Sequence, residues 1–380
     1  MPEIPNIRTR KLRTWIPGKS SSELIGVDEN KNQISLIDLA SNDYLDLTRH
    51  PSLIKAAKQT IETDGVGSGG SRFITGSRDI HRKLEANLAE WLNRDTVLLY
   101  PSGFQANLAA VLALSNRHTL VICDRLVHHS ILVGVKASGA KLIRFKHNDL
   151  PELEKLLKKV RESNPRSRPL VITESLFSME GTTAPIKEIA KLCMKYDSKL
   201  LIDEAHAFGV MGSKGRGESF GLQEPISIIS GTLGKAFGSG GAFLATDKVT
   251  GENLIQNCGA FRYTTALAPP LCASALAALN LIKSNPTWGA RLQEESIALR
   301  EKLALLGWQR PLGKGPIISI VLGSDKLALD YQKRLENQGI LTVAIRPPTV
   351  PEGKSRLRLV IRRNTPEQTF KRLLKVLKKK

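Results

Sequence analysis

The sequence predicts an α/β fold, with a large domain built on a mostly parallel sheet and a smaller C-terminal α+β domain. Between residue 95 and about residue 245, short apolar runs alternate with segments of helical periodicity, which is typical of a parallel sheet covered by helices on both faces. The chain of 380 residues exceeds one typical hydrophobic core. The Asn285-Pro286 step is a natural place for the large domain to end, because the residue before proline is restricted to extended backbone.

The predicted organisation is an N-terminal arm over residues 1–45, a large domain over 46–284 and a small domain over 285–380. The arm contains a strand near 34–39. Helical spacing predicts helices over 51–63 and 82–92, with the glycine-rich segment 65–72 between them as a loop.

The large domain is predicted to hold seven strands: 96–100, 119–123, 141–145, 170–174, 199–203, 226–230 and 241–245. The helices between these strands cover 104–114, 130–137, 150–160 and 186–195. In open α/β sheets, ligands bind outside the carboxyl ends of the strands. One binding edge is therefore expected, formed by 102–104, Asp124, 175–178, 203–206 and the loop around Lys235.

After a helix over 271–282, the small domain is predicted to contain helices over 288–305 and 326–338, strands over 317–322, 341–345 and 356–361, and a terminal helix from Pro366. The terminal helix carries an apolar stripe made of Phe370, Leu373, Leu374 and Leu377. Its lysines are therefore expected on a solvated face and not in a nucleic-acid site.

The composition limits the function less than the motifs do. The net charge of +20 could attract nucleic acid, anionic lipid, or a phosphate-bearing or acidic partner. Aromatic residues make up 5% and are not interleaved with basic ones, as a base-stacking surface would require. A basic nucleic-acid-binding protein stays open as an alternative from another class.

Cysteine usage and the N-terminus predict a cytoplasmic protein. The four cysteines are far apart and form no Cys-x-x-Cys pair, so buried free thiols in a reducing compartment are expected, and no metal site. The N-terminus has no apolar signal region, and the apolar region 267–282 is too short to span a bilayer.

Lys235 lies in a glycine-rich run, 231–241, directly after an apolar strand. Small residues on both sides allow the backbone to approach a flat cofactor and to turn sharply. A desolvated lysine amine can lose its charge, which is the condition for Schiff-base chemistry. An ordinary glycine-rich turn with a solvated lysine explains this run equally well when it is taken alone.

The residues Asp203-Glu204-Ala205-His206 spell a helicase box, which would suit the basic charge. That function requires a phosphate loop, G-x-x-x-x-G-K-[ST], but Arg13 stands where the first glycine before Gly18-Lys19-Ser20 should be. An aspartate that ends a strand can instead pair with the nitrogen of a pyridinium ring. Pyridoxal phosphate is the cofactor that suits both Asp203 and Lys235, although a turn residue or helix cap remains the alternative for Asp203.

Four further motifs have weaker individual signals. The segment 102–104 joins a strand to a helix, whose free N–H groups attract a phosphate, and Thr232 could hydrogen-bond the same phosphate. One histidine of the pair His128-His129 could stack on the cofactor ring. The hydroxyl of Ser178 could donate to the phenolic oxygen of the ring.

Taken together, the motifs resemble those of the α-oxoamine synthases, which are fold-type-I pyridoxal-phosphate enzymes. The resemblance covers the chain from about Leu12 to its end. It is carried by 42–45, 67–72, 102–104, 177–179, 203–206 and 232–235. Enzymes of this family join an amino acid to an acyl thioester with loss of carbon dioxide.

The segment 345–353, together with 356–359, is most similar to the branch of the family that acts in biotin biosynthesis. That similarity implies condensation of L-alanine with a pimeloyl thioester of an acyl carrier protein or of coenzyme A. Condensation of glycine with acetyl-CoA is the alternative within the family.

The resemblance also implies roles for individual residues. Lys235 would bind the cofactor covalently, and His128 would stack on the ring as a catalytic and substrate-contacting residue. The other cofactor contacts would be Gly103, Phe104, Ser178, Asp203, His206 and Thr232. The substrate contacts would be Arg13, Asn42, Thr349 and Arg358, with Asn42 and Arg358 holding the amino-acid carboxylate. The family forms its sites at a homodimer interface, where Thr264 or Thr265 would reach the phosphate of the other subunit.

Overall fold

The computed structural model describes residues 5–27, 32–222 and 224–378. These residues form two compact units. The terminal unit comprises the described residues up to Asp46, the segment Ser178–Thr182, and the described residues from Ala290 onward. The central unit comprises Leu47–Phe177 and Thr183–Gly289. The predicted domain boundaries after residues 45 and 284 stay predictions.

The strands are, in chain order, β1 (Ile16–Pro17), β2 (Glu23–Val27), β3 (Gln33–Asp38), β4 (Thr96–Tyr100), β5 (Leu120–Asp124), β6 (Lys141–Phe145), β7 (Leu170–Glu174), β8 (Lys199–Asp203), β9 (Ile226–Thr232), β10 (Ala242–Thr246), β11 (Ile317–Gly323), β12 (Ile340–Leu341), β13 (Val343–Ile345) and β14 (Ser355–Val360). The α-helices are α1 (Pro51–Asp64), α2 (Asp79–Leu92), α3 (Gly103–Leu114), α4 (His129–Ser138), α5 (Leu150–Ser163), α6 (Ile186–Lys195), α7 (Lys248–Asn257), α8 (Gly259–Arg262), α9 (Pro269–Ser284), α10 (Trp288–Leu305), α11 (Asp325–Glu336) and α12 (Glu367–Leu377).

The central unit is built on a sheet with the strand order β4-β10-β9-β8-β7-β5-β6. Strands β9, β8, β7, β5 and β6 are parallel, and β10 runs antiparallel to both of its neighbours. The predicted mostly parallel sheet is therefore confirmed. In register, Glu174 of β7 pairs with Asp203 of β8, and Asp203 pairs with Ser230 of β9, so these strands end at one edge.

Helices α3 and α4 pack closely on this sheet. The buried core includes Ala106, Ala109 and Val111 of α3, together with Ile131 of α4. A Cβ on Gly134 would lie 2.9 Å from the Cβ of Val111, so the two helices approach more closely than larger side chains would allow. The start of each helix is thereby held firmly at the carboxyl edge of the sheet.

The terminal unit contains two smaller sheets, with the orders β1-β2-β3-β12 and β11-β14-β13. The single strand predicted over 341–345 is wrong, because Leu341 pairs with Asp38 of β3 whereas Val343 pairs with Arg358 of β14. The buried residue Thr342 separates the two short strands, which belong to different sheets.

A buried arginine joins the segments of the terminal unit. Arg362, which follows β14, contacts the carboxylates of Asp38 and Asp43 at 3.1 Å each and that of Asp46 at 2.6 Å. All four side chains are almost inaccessible to solvent. The guanidinium therefore reduces the repulsion among three neighbouring carboxylates.

The four cysteines are buried free thiols, as the sequence predicts. Burial raises the pKa of Cys123, Cys193 and Cys272 to about 12, so these thiols are unreactive at neutral pH. Among the described residues, none of the helices combines the length and the apolar character needed to cross a bilayer. Lys379 and Lys380, at the end of the chain, lie outside the described residues.

Candidate active site

Lys235 lies in the hairpin loop between β9 and β10. The N–H of Leu233 donates to the carbonyl of Gly241 at 2.9 Å, and the N–H of Gly238 donates to the carbonyl of Lys235 at 2.9 Å. Gly238 has a φ of 61°, and a Cβ on it would lie 2.6 Å from the backbone of Leu47. Glycine is needed here because Gly238 has a left-handed backbone conformation and the backbone of Leu47 lies too close for a side chain.

The lysine amine is paired with a predicted site residue. The Nζ of Lys235 lies 2.7 Å from the Nε2 of His206, which is buried in the loop after β8. Lys235 itself is half-buried. Two candidates separated by 29 positions in sequence are therefore in hydrogen-bond contact.

Asp203 ends β8 with its carboxylate held at both oxygens. Oδ1 accepts a hydrogen bond from the N–H of Ala205 at 2.9 Å, and Oδ2 accepts one from Nδ2 of Asn107 at 2.7 Å. The residue is buried. An ionised carboxylate can accept about four hydrogen bonds, so this one has capacity for a further N–H donor, such as a pyridinium nitrogen.

Glu204, the next residue, has different partners. Its buried carboxylate accepts hydrogen bonds from the hydroxyl of Ser175 at 2.5 Å and from the N–H groups of Ser219 at 2.7 Å and Glu218 at 3.3 Å. Burial raises its pKa, and these donors oppose that rise. Glu204 therefore ties β8 to the segment around Ser219.

His128 caps the start of α4. Its Nδ1 accepts from the N–H of Ser130 at 3.3 Å and lies 2.7 Å from the Ser130 hydroxyl oxygen. The residue is solvent-exposed even though Nδ1 is held by the helix, which leaves room for a flat ring to pack against it. Desolvation by the surrounding protein lowers the pKa of His128; Asp203 opposes this, whereas Lys235 and His129 add to it.

The phosphate-side candidates also come together. Ser102 caps α3 by accepting from the N–H of Gln105 at 3.3 Å, and Gly103 is the first residue of that helix. A Cβ on Gly103 would lie 3.9 Å from the hydroxyl oxygen of Thr232, so the helix start faces this hydroxyl. Phe104 follows on α3 and is 44% exposed. A helix N-terminus opposite a hydroxyl fits a phosphate group.

In the terminal unit, Arg358 of β14 contacts two of the predicted residues. Its Nη2 donates to Oδ1 of Asn42 at 2.8 Å, its Nε to the carbonyl of Ser178 at 2.7 Å, and its Nη1 to the carbonyl of Ala40 at 3.4 Å. Arg358 is buried, and desolvation lowers its pKa, whereas Tyr44 and Glu180 oppose that shift. Within the described residues, its hydrogen-bond partners are neutral oxygens and not a carboxylate.

Arg13 and Thr349, also in the terminal unit, have separate partners. Arg13 pairs with Glu336 at 2.6 Å, and its guanidinium lies 4.5 Å above the ring of Trp15. The hydroxyl of Thr349 accepts from Arg10 at 2.7 Å. The structure therefore does not join these two predicted substrate contacts to one another.

The predicted intersubunit residues lie on a surface segment of the central unit. Thr265 forms a β-bridge with Ser71 of the glycine-rich loop and is exposed. The hydroxyl of Thr264 donates to the carbonyl of Thr265 at 3.4 Å. Neither hydroxyl is buried, so both are accessible to another molecule.

Sequence reasoning missed Asn107 and Ser130, which contact Asp203 and His128. Asn107 is the one strongly polar side chain in the buried face of α3, and a lone amide among alanine, leucine and valine was the signal that could have indicated it. Ser130 carried no comparable signal, because a serine in the first turn of a helix is commonplace.

Comparison with known proteins supplies the family. The model of the aminotransferase class I and II family matches residues 34–377. The chain belongs to this family. An 8-amino-7-oxononanoate synthase of Methylobacillus flagellatus is 40% identical over 344 residues, which cover 90% of this chain and 86% of that protein.

Two solved structures of family members are similar over most of their length. A serine palmitoyltransferase from S. paucimobilis, with bound pyridoxal phosphate and myriocin, matches with a TM-score of 0.90 and 26% identity over 97% of this chain and 91% of that one. The 8-amino-7-oxononanoate synthase of Francisella tularensis matches with a TM-score of 0.77 and 29% identity over 90% of this chain and 97% of that one.

The chain is therefore an α-oxoamine synthase of fold type I, a pyridoxal-phosphate-dependent acyltransferase. The residues of the central unit fit that cofactor. An amine at Lys235, a carboxylate with spare acceptor capacity at Asp203 and a helix start facing the hydroxyl of Thr232 match the aldehyde, the ring nitrogen and the phosphate of the cofactor.

Proposed function

We propose that this protein condenses L-alanine with a pimeloyl thioester to give 8-amino-7-oxononanoate, carbon dioxide and a free thiol, in biotin biosynthesis. The observation that carries this proposal is the 40% identity, over 90% of the chain, to an enzyme of that name. Identity to the serine palmitoyltransferase is only 26%. Substrate choice differs between these branches, so the higher identity favours the first.

Pyridoxal phosphate, when bound, supplies an electron-poor ring that stabilises negative charge on the amino-acid Cα. Lys235 would hold it covalently, and the Lys235 amine would remove the α-proton of alanine. His206, 2.7 Å from that amine, orients it. The Asp203 carboxylate would accept the ring N–H, His128 would stack on the ring, and the Ser178 hydroxyl would donate to the phenolic oxygen. Gly103, Phe104 and Thr232 would hold the phosphate.

Arg358 and Asn42 hold the carboxylate of alanine. The Arg358 guanidinium is buried among neutral oxygens, so its charge remains available to an incoming anion. One N–H of Arg358 and the amide NH₂ of Asn42, whose oxygen accepts from Arg358, would bind the two carboxylate oxygens. This would fix the plane of the carboxylate and therefore the direction of the α-proton.

The bond changes balance without a further reactant. A bond forms between Cα of alanine and the thioester carbonyl carbon as the carbon–sulfur bond breaks, and the leaving thiolate takes a proton from solvent, because the proton on Lys235 is needed at Cα. The bond from Cα to the carboxylate then breaks, carbon dioxide departs and Cα regains a proton from Lys235.

The acyl thioester is expected to use the positive charge of the chain. Arg10 donates to the Thr349 hydroxyl, and its charge, together with burial, lowers the pKa of Arg346, so two guanidiniums lie close together there. Phosphates of coenzyme A or an acidic carrier protein would complement this charge. The KM for the thioester should rise with salt while the KM for L-alanine stays nearly constant.

A homodimer is part of the proposal. The side chains of Val66, Ile74 and Tyr263 are 74%, 78% and 82% exposed, on loops that the Ser71–Thr265 bridge joins. Large apolar side chains that are exposed in one subunit favour burial against a second copy of the chain in a homodimer.

The shared site has a direct test, which combines two inactive proteins. Lys235→Ala and a double Thr264→Ala/Thr265→Ala variant should each lose most activity. After denaturation and refolding together, hybrid dimers regain one native site, which restores roughly a quarter of the wild-type activity. No recovery would refute a site shared between subunits.

The substrate assignment is tested in two steps. L-alanine, glycine and L-serine are each incubated with the holoenzyme in deuterium oxide, and exchange at Cα is followed by NMR. Pimeloyl-CoA, a pimeloyl carrier protein and acetyl-CoA are then added, and the products are identified by mass spectrometry. L-alanine with a pimeloyl thioester should react fastest; preference for glycine with acetyl-CoA would assign the other branch. Lys235→Ala is the control and should show no exchange.

A further inference from the structure

A row of hydrogen bonds joins Asp203 to His128 inside the central unit. Nδ2 of Asn107 lies 2.7 Å from Oδ2 of Asp203 and 3.0 Å from the hydroxyl oxygen of Ser130. That oxygen lies 2.7 Å from Nδ1 of His128. Asn107 and Ser130 are both buried. The row therefore connects the carboxylate proposed for the ring nitrogen to the imidazole proposed to stack on the ring.

The donors in this row have one consistent arrangement. The amide of Asn107 turns its nitrogen to Asp203, because its oxygen would be repelled by the carboxylate. Its two N–H groups then donate to Asp203 and to Ser130. The Ser130 oxygen accepts, so its own O–H is directed to Nδ1 of His128, which also accepts the Ser130 backbone N–H at 3.3 Å. Nδ1 carries no proton in this arrangement, and the ring proton is on Nε2.

We propose that Asn107 and Ser130 are positioning residues, which link the Asp203 carboxylate to His128 by hydrogen bonds. Through this link they hold the His128 ring as the neutral tautomer protonated on Nε2. The proposal uses the cofactor-binding side of the site and does not depend on which amino acid or thioester reacts. It goes beyond the stacking role of His128, because it fixes which ring nitrogen carries the proton.

The surroundings of His128 support a neutral ring. Lys235 and His129 carry or can carry positive charge, and they lower its pKa together with desolvation, while Asp203 opposes them. A simple helix cap would need only the Ser130 backbone N–H. The buried Ser130 hydroxyl, and the second N–H of Asn107 that donates to it, would then have no role in the cap.

The test reads the ring nitrogens directly by NMR of holoenzyme labelled with ¹⁵N-histidine. The His128 signals are assigned by their loss in His128→Asn. In the wild type, the proton is expected on Nε2 near neutral pH. A wild-type spectrum with the proton on Nδ1, or with a charged ring, overturns the proposal without any further variant.

Variants then test each link. Ser130→Ala should lower the ratio of the Nε2–H to the Nδ1–H tautomer about five-fold, which corresponds to one hydrogen bond of typical strength. Asn107→Ala should lower it by a smaller factor, because the hydroxyl becomes free to turn. Ser130→Thr keeps the hydroxyl and should retain the wild-type ratio.

The matched control is Ser138→Ala, which removes a hydroxyl from the other end of α4, where it donates to the carbonyl of Val135 at 2.9 Å. A Ser130→Ala spectrum equal to that of Ser138→Ala refutes the role of Ser130. An Asn107→Ala spectrum equal to the wild type refutes the connection to Asp203. A change of the ratio in both Asn107→Ala and Ser130→Ala, but not in Ser138→Ala, supports the row as a whole.

Discussion

Replacement of Arg358 by lysine tests the binding of the amino-acid carboxylate most directly. A guanidinium has five N–H groups, and three of those in Arg358 donate to Asn42, Ser178 and Ala40. The remaining two, one on each terminal nitrogen, are left for Tyr44 and for an incoming carboxylate. Lysine keeps the charge but has only three N–H donors, which are too few to bond these neutral oxygens and a carboxylate as well.

The expected magnitude follows from the bond that is lost. A hydrogen bond to a charged group contributes about 1.5–3 kcal/mol. Loss of one such bond should raise the L-alanine concentration that half-saturates Cα exchange by roughly 10- to 150-fold. The KM for the thioester should change little, because Arg358 is proposed to bind the carboxylate of the amino acid.

The chain provides a matched control on the same strand. Arg356 is also buried in β14, but it pairs with Glu180 at 3.0 Å, so its charge is already satisfied within the protein. Arg356→Lys should leave the half-saturating L-alanine concentration within about three-fold of the wild-type value. Equal effects of the two lysine variants, or an effect of Arg358→Lys on the thioester alone, would contradict the assignment. Thermal unfolding of both variants checks that each remains folded.

Three further substitutions test the stability of the fold by urea unfolding. Arg362→Met should lower the unfolding free energy by about 3–5 kcal/mol, because three buried carboxylates lose the guanidinium that they share. Glu204→Gln should lower it by about 1–3 kcal/mol, because an amide N–H cannot accept from the backbone donors. Gly231→Ala should cost about 1–3 kcal/mol, because its Cβ would lie 2.4 Å from the ring of Phe243, whereas Gly67→Ala, whose Cβ meets open space, should have little effect.

The core strands of the central unit could be predicted from sequence almost to the residue. The predictions over 96–100, 141–145, 170–174 and 199–203 coincide with β4, β6, β7 and β8. These strands are short apolar runs bounded by polar or turn-forming residues, so local pattern and burial agree. Strands β1 and β2 were not predicted, because β1 has only two residues, both exposed, and β2 has mostly half-buried residues with a glycine near its end, so neither gives such a pattern.

The site could be predicted as a set of residues but not as a set of contacts. The identities of Lys235, His206 and Asp203 follow from motifs, whereas the contact between Lys235 and His206 depends on how a hairpin loop faces the end of a neighbouring strand. Asn107 was hidden for a similar reason: its partner is 96 positions away, and only the folded sheet brings them together.

Asp203 and Glu204 are adjacent at the end of β8, yet their side chains have different hydrogen-bond partners. The carboxylate of Asp203 is held by Asn107, whereas that of Glu204 is enclosed by Ser175 and the segment around Ser219. In genetic terms, we expect two kinds of allele from neighbouring codons. Glu204→Gln should be temperature-sensitive and recover in cells grown cold, while Asp203→Asn should be null at every temperature. Growth of a biotin-requiring strain at two temperatures distinguishes them.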